Sequence, residues 1–289
     1  MAAPSLKLTA YMRLNRHAVL HMISHGRCYV HLHLDWDNIE DWLRHPDAPI
    51  VLAWQNRRLI GVIAAATPIE GTSWLRLIAI EKTVDTHAIL LALWQQLREV
   101  LGDVGVTTMG ILSLYPWLEG YLADLGFSYS ESIVNLERRG VIPLPSPRPA
   151  VNEAIHIRHG DFRQADQALA VDQAAFLPLW QMTPSGMRHA IREAALFTLA
   201  EREGRIVGYQ FSTLLGHVAH LSRLGVLPET QGQGIGGALV GEMLDHFMGR
   251  GVLNFTVNTQ ASNLASRRVY ERYGFQHAGV DTPFWFMRL

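Results

Sequence analysis

The sequence predicts a mixed α/β fold built from two similar domains in tandem. Short segments of alternating apolar residues are interleaved with segments whose apolar residues recur at helical spacing, a pattern typical of strands and helices packed in layers. A proline-rich segment, Val141–Pro149, lies near the middle of the chain. The sequences on its two sides can be aligned with each other, so we expect one architecture to occur twice.

The internal alignment rests on two identical dipeptides. Gly126-Phe127 and Gly274-Phe275 lie 148 positions apart, which is 274 minus 126. At this offset the helix-like run His87–Val100 aligns with Ile235–Met248, and a strand-like segment precedes each run. A repeat of this length is too long for a solenoid and predicts a duplicated domain.

The domain boundaries follow from the proline-rich segment. Proline occupies every second position from Pro143 to Pro149, which favours extended backbone and excludes helix. We interpret residues 141–152 as a linker between domains at 1–140 and 153–289. Both domains then have the usual size of about 100 to 200 residues.

Local patterns in the second half predict the order of its elements. Alternation marks the strands, apolar residues three and four apart mark the helices, and glycines mark helix ends at Gly249 and Gly274. Glu203-Gly204-Arg205 predicts a hairpin. The predicted order is strand Ile155–Arg158, helices Phe162–Phe176 and Ser185–Ala195, strands Phe197–Ala200, Ile206–Leu214 and Val218–Val226, helix Ile235–Phe247, strand Leu253–Val257, helix Asn263–Tyr273 and strand Pro283–Leu289.

Composition excludes several classes of partner. Lys and Arg number 25 against 26 Asp and Glu, and no basic run marks a nucleic-acid arm. No stretch of about 18 apolar residues is long enough to span a membrane, and the segment Met1–Arg16 lacks the apolar core of an export signal. The single cysteine, Cys28, cannot form an intramolecular disulfide, so we expect a cytoplasmic protein.

A glycine-rich turn joins the strand ending at Val226 to the following helix. Such a turn exposes backbone N–H groups and the positive end of a helix dipole, and this geometry binds phosphate. The alternative is a tight turn without a ligand. Gly232–Gly237 also fits the Gly-x-Gly-x-x-Gly pattern of dinucleotide sites, but the next strand, Leu253–Asn258, carries no acid at its end. No Gly-Lys-Ser/Thr follows, which excludes an ATPase-type loop.

The wider pattern decides between these interpretations. Gln231-x-x-Gly234-x-Gly236 is followed by Asn263 and by Val269–Phe275, which contains a Tyr-x-x-x-Gly-Phe segment. From Ile155 to Leu289 the chain resembles the GCN5-related N-acetyltransferase (GNAT) superfamily. The resemblance implies tandem GNAT-like domains and direct transfer of an acetyl group from acetyl-CoA to a primary amine of a small molecule or peptide. The alternative is a non-catalytic acyl-CoA-binding or regulatory module.

The resemblance also implies roles for individual residues. The backbone of Val226 and Leu227 would contact the pantetheine arm and polarise the thioester, Asn263 would contact the cofactor, and Tyr270 would protonate the departing thiolate. Tyr270 could instead be a core aromatic. The pyrophosphate would be bound by Gln231, Gly232, Gln233, Gly234, Ile235, Gly236, Gly237 and Ala238.

The general base is predicted at His220. We expect His220, Ser222 and Leu224 to alternate onto one face of the strand that approaches Val226, and some superfamily members have a glutamate at the position of His220. An imidazole with an ordinary pKa of about 6.5 suits this role. The alternative is a water chain, with His220 only packing.

The first half lacks the residues of the cofactor loop. At the offset of 148, Thr83, Thr86 and Ala88 replace Gln231, Gly234 and Gly236, and Asp85 would repel a pyrophosphate. We therefore predict a degenerate N-terminal copy that does not bind acetyl-CoA. Tandem members such as the mycothiol synthases have a similar architecture, which carries over no substrate.

Two further patterns leave alternatives open. His17, His21 and His25 have helical spacing and could suggest a metal, but Cys or Glu partners at fixed spacing are lacking, so we expect a solvated histidine face and no metal. Phe176–Pro184 could wall the acceptor site, or it could pack its aromatic side chains onto the core.

Overall fold

The computed structural model describes residues 5–34, 38–44, 48–146 and 153–289. It divides into two compact units. Unit 1 contains the described residues up to Ser130 together with Thr282–Leu289, and unit 2 is Glu131–Asp281. Half of the predicted linker, residues 147–152, lies outside the described residues.

The helices and strands alternate in both halves of the chain. The elements of the first half are β1 Leu6–Ala10, α1 Arg16–Ser24, β2 Cys28–Leu32, α2 Ile39–Trp42, β3 Ile50–Gln55, β4 Arg58–Ala65, β5 Thr72–Glu81, α3 Thr86–Asp103, β6 Thr108–Leu112, α4 Pro116–Leu122 and β7 Ser128–Arg139. Those of the second half are β8 Ile155–His159, α5 Ala165–Ala175, α6 Pro184–Glu193, β9 Leu196–Arg202, β10 Arg205–Leu215, β11 Val218–Val226, α7 Ile235–Met248, β12 Asn254–Gln260, α8 Leu264–Arg272, β13 Gln276–His277 and β14 Thr282–Arg288.

Unit 1 is built on a mixed sheet in the order β1-β3-β4-β5-β6-β14, in which only β5 and β6 run parallel. Its main core joins one face of this sheet to α3, whose Leu90, Leu93 and Leu97 are fully buried. These three residues recur at the spacing that the sequence predicts for an amphipathic helix.

Unit 2 has the corresponding sheet, in the order β8-β9-β10-β11-β12-β7, with β11 and β12 parallel. Helices cover both faces. An added Cβ at Gly208 would lie 3.0 Å from Ile235 of α7, whereas the hydroxyl of its neighbour Tyr209 donates to Asp172 of α5. Because successive strand residues point to opposite faces, α5 and α7 lie on opposite sides of the sheet.

Each sheet ends in a strand from the other half of the sequence. In unit 1, Trp285 of β14 pairs with Ile111 of β6, and in unit 2, Ile133–Arg139 of β7 pairs with β12. The compact units therefore differ from the predicted boundaries at 140 and 153. Strand pairing over such sequence distances leaves no local signal, so a linear division of the chain misses it.

Most predicted elements of the second half are present with small boundary shifts. The predicted helix Phe162–Phe176 begins with a separate 3-10 turn, Phe162–Gln164, before α5. The predicted hairpin is confirmed, with positive φ angles of 53° at Glu203 and 80° at Gly204, as a two-residue type I′ turn requires.

Candidate active site

Strand β11 contains a bulge at Ser222. Phe211 of β10 pairs with Arg223 and the next residue, Ser212, pairs with Leu221, so the register passes over Ser222. The bulge reverses the alternation, and Leu221 and Leu224 both pack against α7 although they are three residues apart. The prediction that His220 and Leu224 share a face is therefore wrong, because His220 lies on the face of Arg223.

Beyond the bulge, β11 has an open edge. It pairs with β12 only from Val218 to Leu221, and in the described residues no strand continues this pairing as far as Val226. The Leu227 N–H donates to the Val207 carbonyl at 2.9 Å, so the alternation of the ladder directs the N–H and C=O groups of Leu224 and Val226 to the open edge. This edge offers a strand-like set of partners for an extended ligand that carries amides.

Gln231 and Leu227 make contacts at this edge other than the predicted ones. The Gln231 side-chain amide donates to the Val226 carbonyl at 3.1 Å, and the Leu227 N–H is already bonded within the sheet. Leu224, which the motifs did not single out, presents its backbone to the edge instead. The bulge determines which residues of β11 present their backbone groups to the open edge, and it has no signature in the sequence.

The glycine loop leads from this edge into α7. Gly232 and Gly234 have positive φ angles of 77° and 83°, which glycine adopts without strain. The first helical hydrogen bond runs from the Ala238 N–H to the Gly234 carbonyl at 3.0 Å, so the preceding N–H groups point out of the helix start. An added Cβ at Gly236 would meet only Leu224, at 3.8 Å, and the first turn of α7 has no acidic residue. This arrangement is suited to binding an anion.

Asn263 and Tyr270 lie at the two ends of α8. The Asn263 side-chain oxygen accepts from the Ser266 N–H at 3.1 Å and so caps the helix. Tyr270 is 5% exposed and belongs to the core cluster around α7. Burial raises the pKa of Tyr270 to about 12, although a hydrogen bond with Ser266 opposes this, so the phenol stays protonated near neutral pH.

His220 borders a cavity on the opposite face of the sheet from α7. Its Nδ1 lies 2.9 Å from Thr256 Oγ1, and burial lowers the pKa of the imidazole below its usual value. A neutral imidazole is therefore the form present at pH 7. The cavity, of about 470 Å³, is lined by Asn135, Leu136, Glu137, Arg139, His220, Thr256, Val257, Ala278 and Gly279.

A buried polar network fixes β11 just after the bulge. Asp172 is fully buried and accepts from the Tyr209 hydroxyl, from Arg223 Nε at 2.9 Å and from the Met182 N–H at 2.8 Å. The Arg223 guanidinium also lies 3.8 Å from the centre of the Phe176 ring. Through Phe176 and Met182, the segment Phe176–Pro184 therefore packs on the core, which is one of the two predicted alternatives. The other alternative, a wall of the acceptor site, stays a prediction. A lone acid on the apolar face of α5 was the sequence signal for this network.

A family model matches the part of the chain that contains these features. The model of the Acetyltransferase (GNAT) family matches residues 162–275. A mycothiol acetyltransferase of Streptomyces griseus subsp. griseus is 32% identical over 170 residues, and one of Streptomyces coelicolor is 33% identical over 170 residues. The matched region, residues 162–275, is thus similar to the GNAT family. It spans about half the length of these relatives, because each alignment covers 55% of this chain and 55% of the relative.

Solved structures extend the GNAT fold to the whole chain. A tandem GNAT protein from the clavulanic acid biosynthesis pathway gives a TM-score of 0.63 at 17% identity and covers 98% of both chains. A GCN5-related N-acetyltransferase from Sphaerobacter thermophilus gives 0.61 at 16% identity, covering 98% of this chain and 95% of that one. The chain thus contains two GNAT-like domains.

The GNAT-like unit 1 lacks both features of the candidate site. The edge of β5 that corresponds to the open edge of β11 is paired with β2, from Cys28–Glu81 to Leu32–Leu77. The Trp117 indole N–H donates to the Val30 carbonyl of β2 at 3.2 Å. At the start of α3, the Asp85 side chain accepts from the Ala88 N–H at 3.0 Å, which places a carboxylate where unit 2 exposes amides.

Two other findings concern partners considered from the sequence. In the described ranges no group of three His, Cys, Asp or Glu side chains is arranged to hold a metal ion. His21 and His25 stack on each other with ring centres 3.7 Å apart. The described helices include none with the length and apolarity needed to cross a bilayer.

Proposed function

We propose that unit 2 is an acetyl-CoA-dependent N-acetyltransferase that transfers the acetyl group directly to a primary amine. The observation that carries this proposal is the continuity of the open β11 edge with the amide-rich start of α7. The edge suits the amides of a pantetheine arm, and the helix start suits a pyrophosphate. The names of the matched mycothiol acetyltransferases support acetyl as the transferred group, but half-length alignments do not carry over their acceptor.

The binding roles follow from the geometry. Leu224 and Val226 would bond the pantetheine amides through their backbones, and the thioester carbonyl would accept from an N–H on the same edge. The loop from Gln231 to Ala238 would bind the pyrophosphate. Asn263 would contact the cofactor through its side-chain nitrogen, because its oxygen already caps α8.

Tyr270 and His220 would handle the protons. Tyr270 stays protonated and would donate a hydrogen bond to the departing sulfur. Its pKa of about 12 lies about 3.5 above that of an ordinary thiol, equivalent to roughly 5 kcal/mol, so donation in a shared hydrogen bond is favoured over early proton transfer. His220, which burial keeps neutral, would accept the proton of the attacking amine.

Unit 1 would have a structural role and bind no acetyl-CoA. Support comes from β2, which fills the edge of β5, and from Asp85 at the start of α3. We further propose a cytoplasmic location, supported by the single cysteine, and a small-molecule or peptide amine as acceptor, with no nucleic-acid or membrane partner.

Release of free thiol from acetyl-CoA in a panel of small amines and peptides tests the proposal. The wild-type protein should release thiol in an amine-dependent manner, and Tyr270→Phe and His220→Ala should reduce the rate about 100-fold or more. Binding of acetyl-CoA without thiol release by any amine would favour a non-catalytic acyl-CoA-binding module. Absence of binding would contradict the proposal altogether.

A further inference from the structure

Three strands of unit 2 place polar residues side by side across the floor of the cavity. His220 of β11 is the register partner of Thr256 in β12, and Thr256 is the register partner of Glu137 in β7. Because register partners point to the same face of a sheet, the three side chains lie on one face, and all three residues line the cavity. Such a row can orient the histidine through hydrogen bonds to the ring nitrogen that does not face the substrate.

We propose that Thr256 and Glu137 are positioning residues that orient His220 so that its Nε2 presents a lone pair to the cavity. This inference rests on the proposed function, since it assigns the acceptor amine to this cavity. A cavity of about 470 Å³ admits a small polar amine, so we infer this class of acceptor. Neither Thr256 nor Glu137 belongs to the motifs that mark the cofactor site.

The tautomer of His220 determines which of its two nitrogens can accept a proton. A neutral imidazole carries one proton, and the nitrogen that keeps it is set by the partner of the other nitrogen. Nδ1 lies 2.9 Å from Thr256 Oγ1. If the Thr256 oxygen accepts from Nδ1–H, the lone pair remains on Nε2, which is the arrangement that a base requires.

The direction of the Thr256 hydroxyl determines whether its oxygen accepts from Nδ1. A hydroxyl that accepts from Nδ1 keeps its own proton for another acceptor. Directly opposed residues in an antiparallel pair have Cβ atoms about 5 Å apart, so a rotation of the Glu137 side chain would bring its carboxylate to the Thr256 hydroxyl. An ionised carboxylate only accepts hydrogen bonds, so it favours the orientation in which the Thr256 hydroxyl donates to Glu137. In that orientation the Thr256 oxygen accepts from His220, whose proton is then on Nδ1.

The Glu137 carboxylate also forms an ion pair on the same strand. Arg139 lies two residues along β7, on the same face, and its guanidinium is 2.6 Å from the Glu137 carboxylate. Arg139 is 73% exposed and Glu137 is 28% exposed, so the carboxylate is the more enclosed partner. β7 comes from the first half of the sequence, so the strand exchange supplies part of the proposed acceptor site.

The proposed step conserves atoms and protons. The amine nitrogen forms a bond to the carbonyl carbon of the thioester as the carbon–sulfur bond breaks. The proton lost by the amine goes to His220 Nε2 and from there to solvent, and the departing thiolate accepts a hydrogen bond from the Tyr270 hydroxyl, which keeps its proton. Thr256 and Glu137 exchange no proton with the substrate in this scheme.

Steady-state kinetics with a small amine found active in the panel test the inference. Thr256→Val should lower kcat about 10- to 100-fold, by analogy with the residues that orient metal-bound histidines through the second nitrogen, with an unchanged KM for acetyl-CoA. Thr256→Ser, which restores the hydroxyl, should recover most of kcat. Thr213→Val is the matched control, because Thr213 is the β10 register partner of His220 and its hydroxyl lies near Ser222.

Glu137 is tested by a second pair of variants. Glu137→Gln should lower kcat severalfold, whereas Arg139→Gln, which breaks the same ion pair and leaves the carboxylate, should retain a higher kcat than Glu137→Gln. Equal losses in the two variants would overturn the role of Glu137. A wild-type kcat in Thr256→Val, an equal loss in Thr213→Val, or no recovery with serine would overturn the role of Thr256. Acetyl-CoA binding, measured in parallel, shows whether the proposed function itself has failed.

Discussion

Replacement of Asp172 by asparagine should strongly destabilise unit 2. The substitution keeps the shape of the side chain but removes the charge that compensates Arg223, whose side chain is 17% exposed. Breaking a buried ion pair typically costs about 3 to 5 kcal/mol. Arg223 keeps a hydrogen bond to the Trp180 carbonyl at 2.6 Å and some contact with solvent, so we expect the lower end, about 3 kcal/mol.

Native-state hydrogen exchange followed by mass spectrometry measures this effect locally. Peptides from α5 and β11 should exchange about 100-fold faster in Asp172→Asn, which corresponds to about 3 kcal/mol, while peptides from α3 in unit 1 serve as an internal reference. Asp166→Asn is the matched control on the same helix. Asp166 pairs with Arg188 at 2.8 Å but is 78% exposed, so its loss should cost under about 1 kcal/mol. Equal effects of the two variants would refute the assignment of the buried network.

Three further predictions concern the cofactor edge and the base. Gly236→Glu should stabilise α7 by up to about 1 kcal/mol in thermal unfolding, because it removes a helical glycine and adds an acid to the first turn, yet it should abolish acetyl-CoA binding in calorimetry. Because burial lowers the pKa of His220, the acidic limb of kcat/KM against pH should lie below pH 6.5 and disappear in His220→Ala; a limb above 7 would contradict this. Gly225→Ala would place a Cβ 2.7 Å from the Tyr209 ring and should cost about 1 to 3 kcal/mol in urea unfolding, so unchanged stability would contradict the packing described.

Features with local signals could be predicted from the sequence. The hairpin at Glu203-Gly204 follows from a polar two-residue turn between alternating segments, and the start of α7 follows from glycines after a strand. Asp85 and the missing glycines of the first half are also visible in the sequence, and the degeneracy that they indicate stays a prediction. In the structure Asp85 also caps α3, which gives the same residue a structural function.

Features that depend on pairing across the sheet could not be predicted. The bulge at Ser222 changes which residues face α7 without any change in composition, so simple alternation placed His220 on the wrong face. The exchange of β7 and β14 and the filling of the β5 edge by β2 join segments far apart in sequence. Single strands carry no local information about such partners.

Buried polar groups form a third class. Asp172 could be noticed as an acid among apolar helix positions, but its partners lie on β10 and β11. The bulge determines which residue of β11 pairs with Asp172, since Arg223 follows Ser222 directly. Sequence reasoning therefore located the glycine loop at the start of α7, whose binding of a cofactor stays a prediction, and missed the network around Asp172.

Calorimetric titration with acetyl-CoA tests the central claim most directly. We predict one site per chain in the wild-type protein and in Gly236→Ala, whose added Cβ makes only an ordinary contact with Leu224, and no site in Gly236→Glu. Two sites per chain, or one site that survives in Gly236→Glu, would contradict the claim that acetyl-CoA binds only at the open edge of β11 and the start of α7.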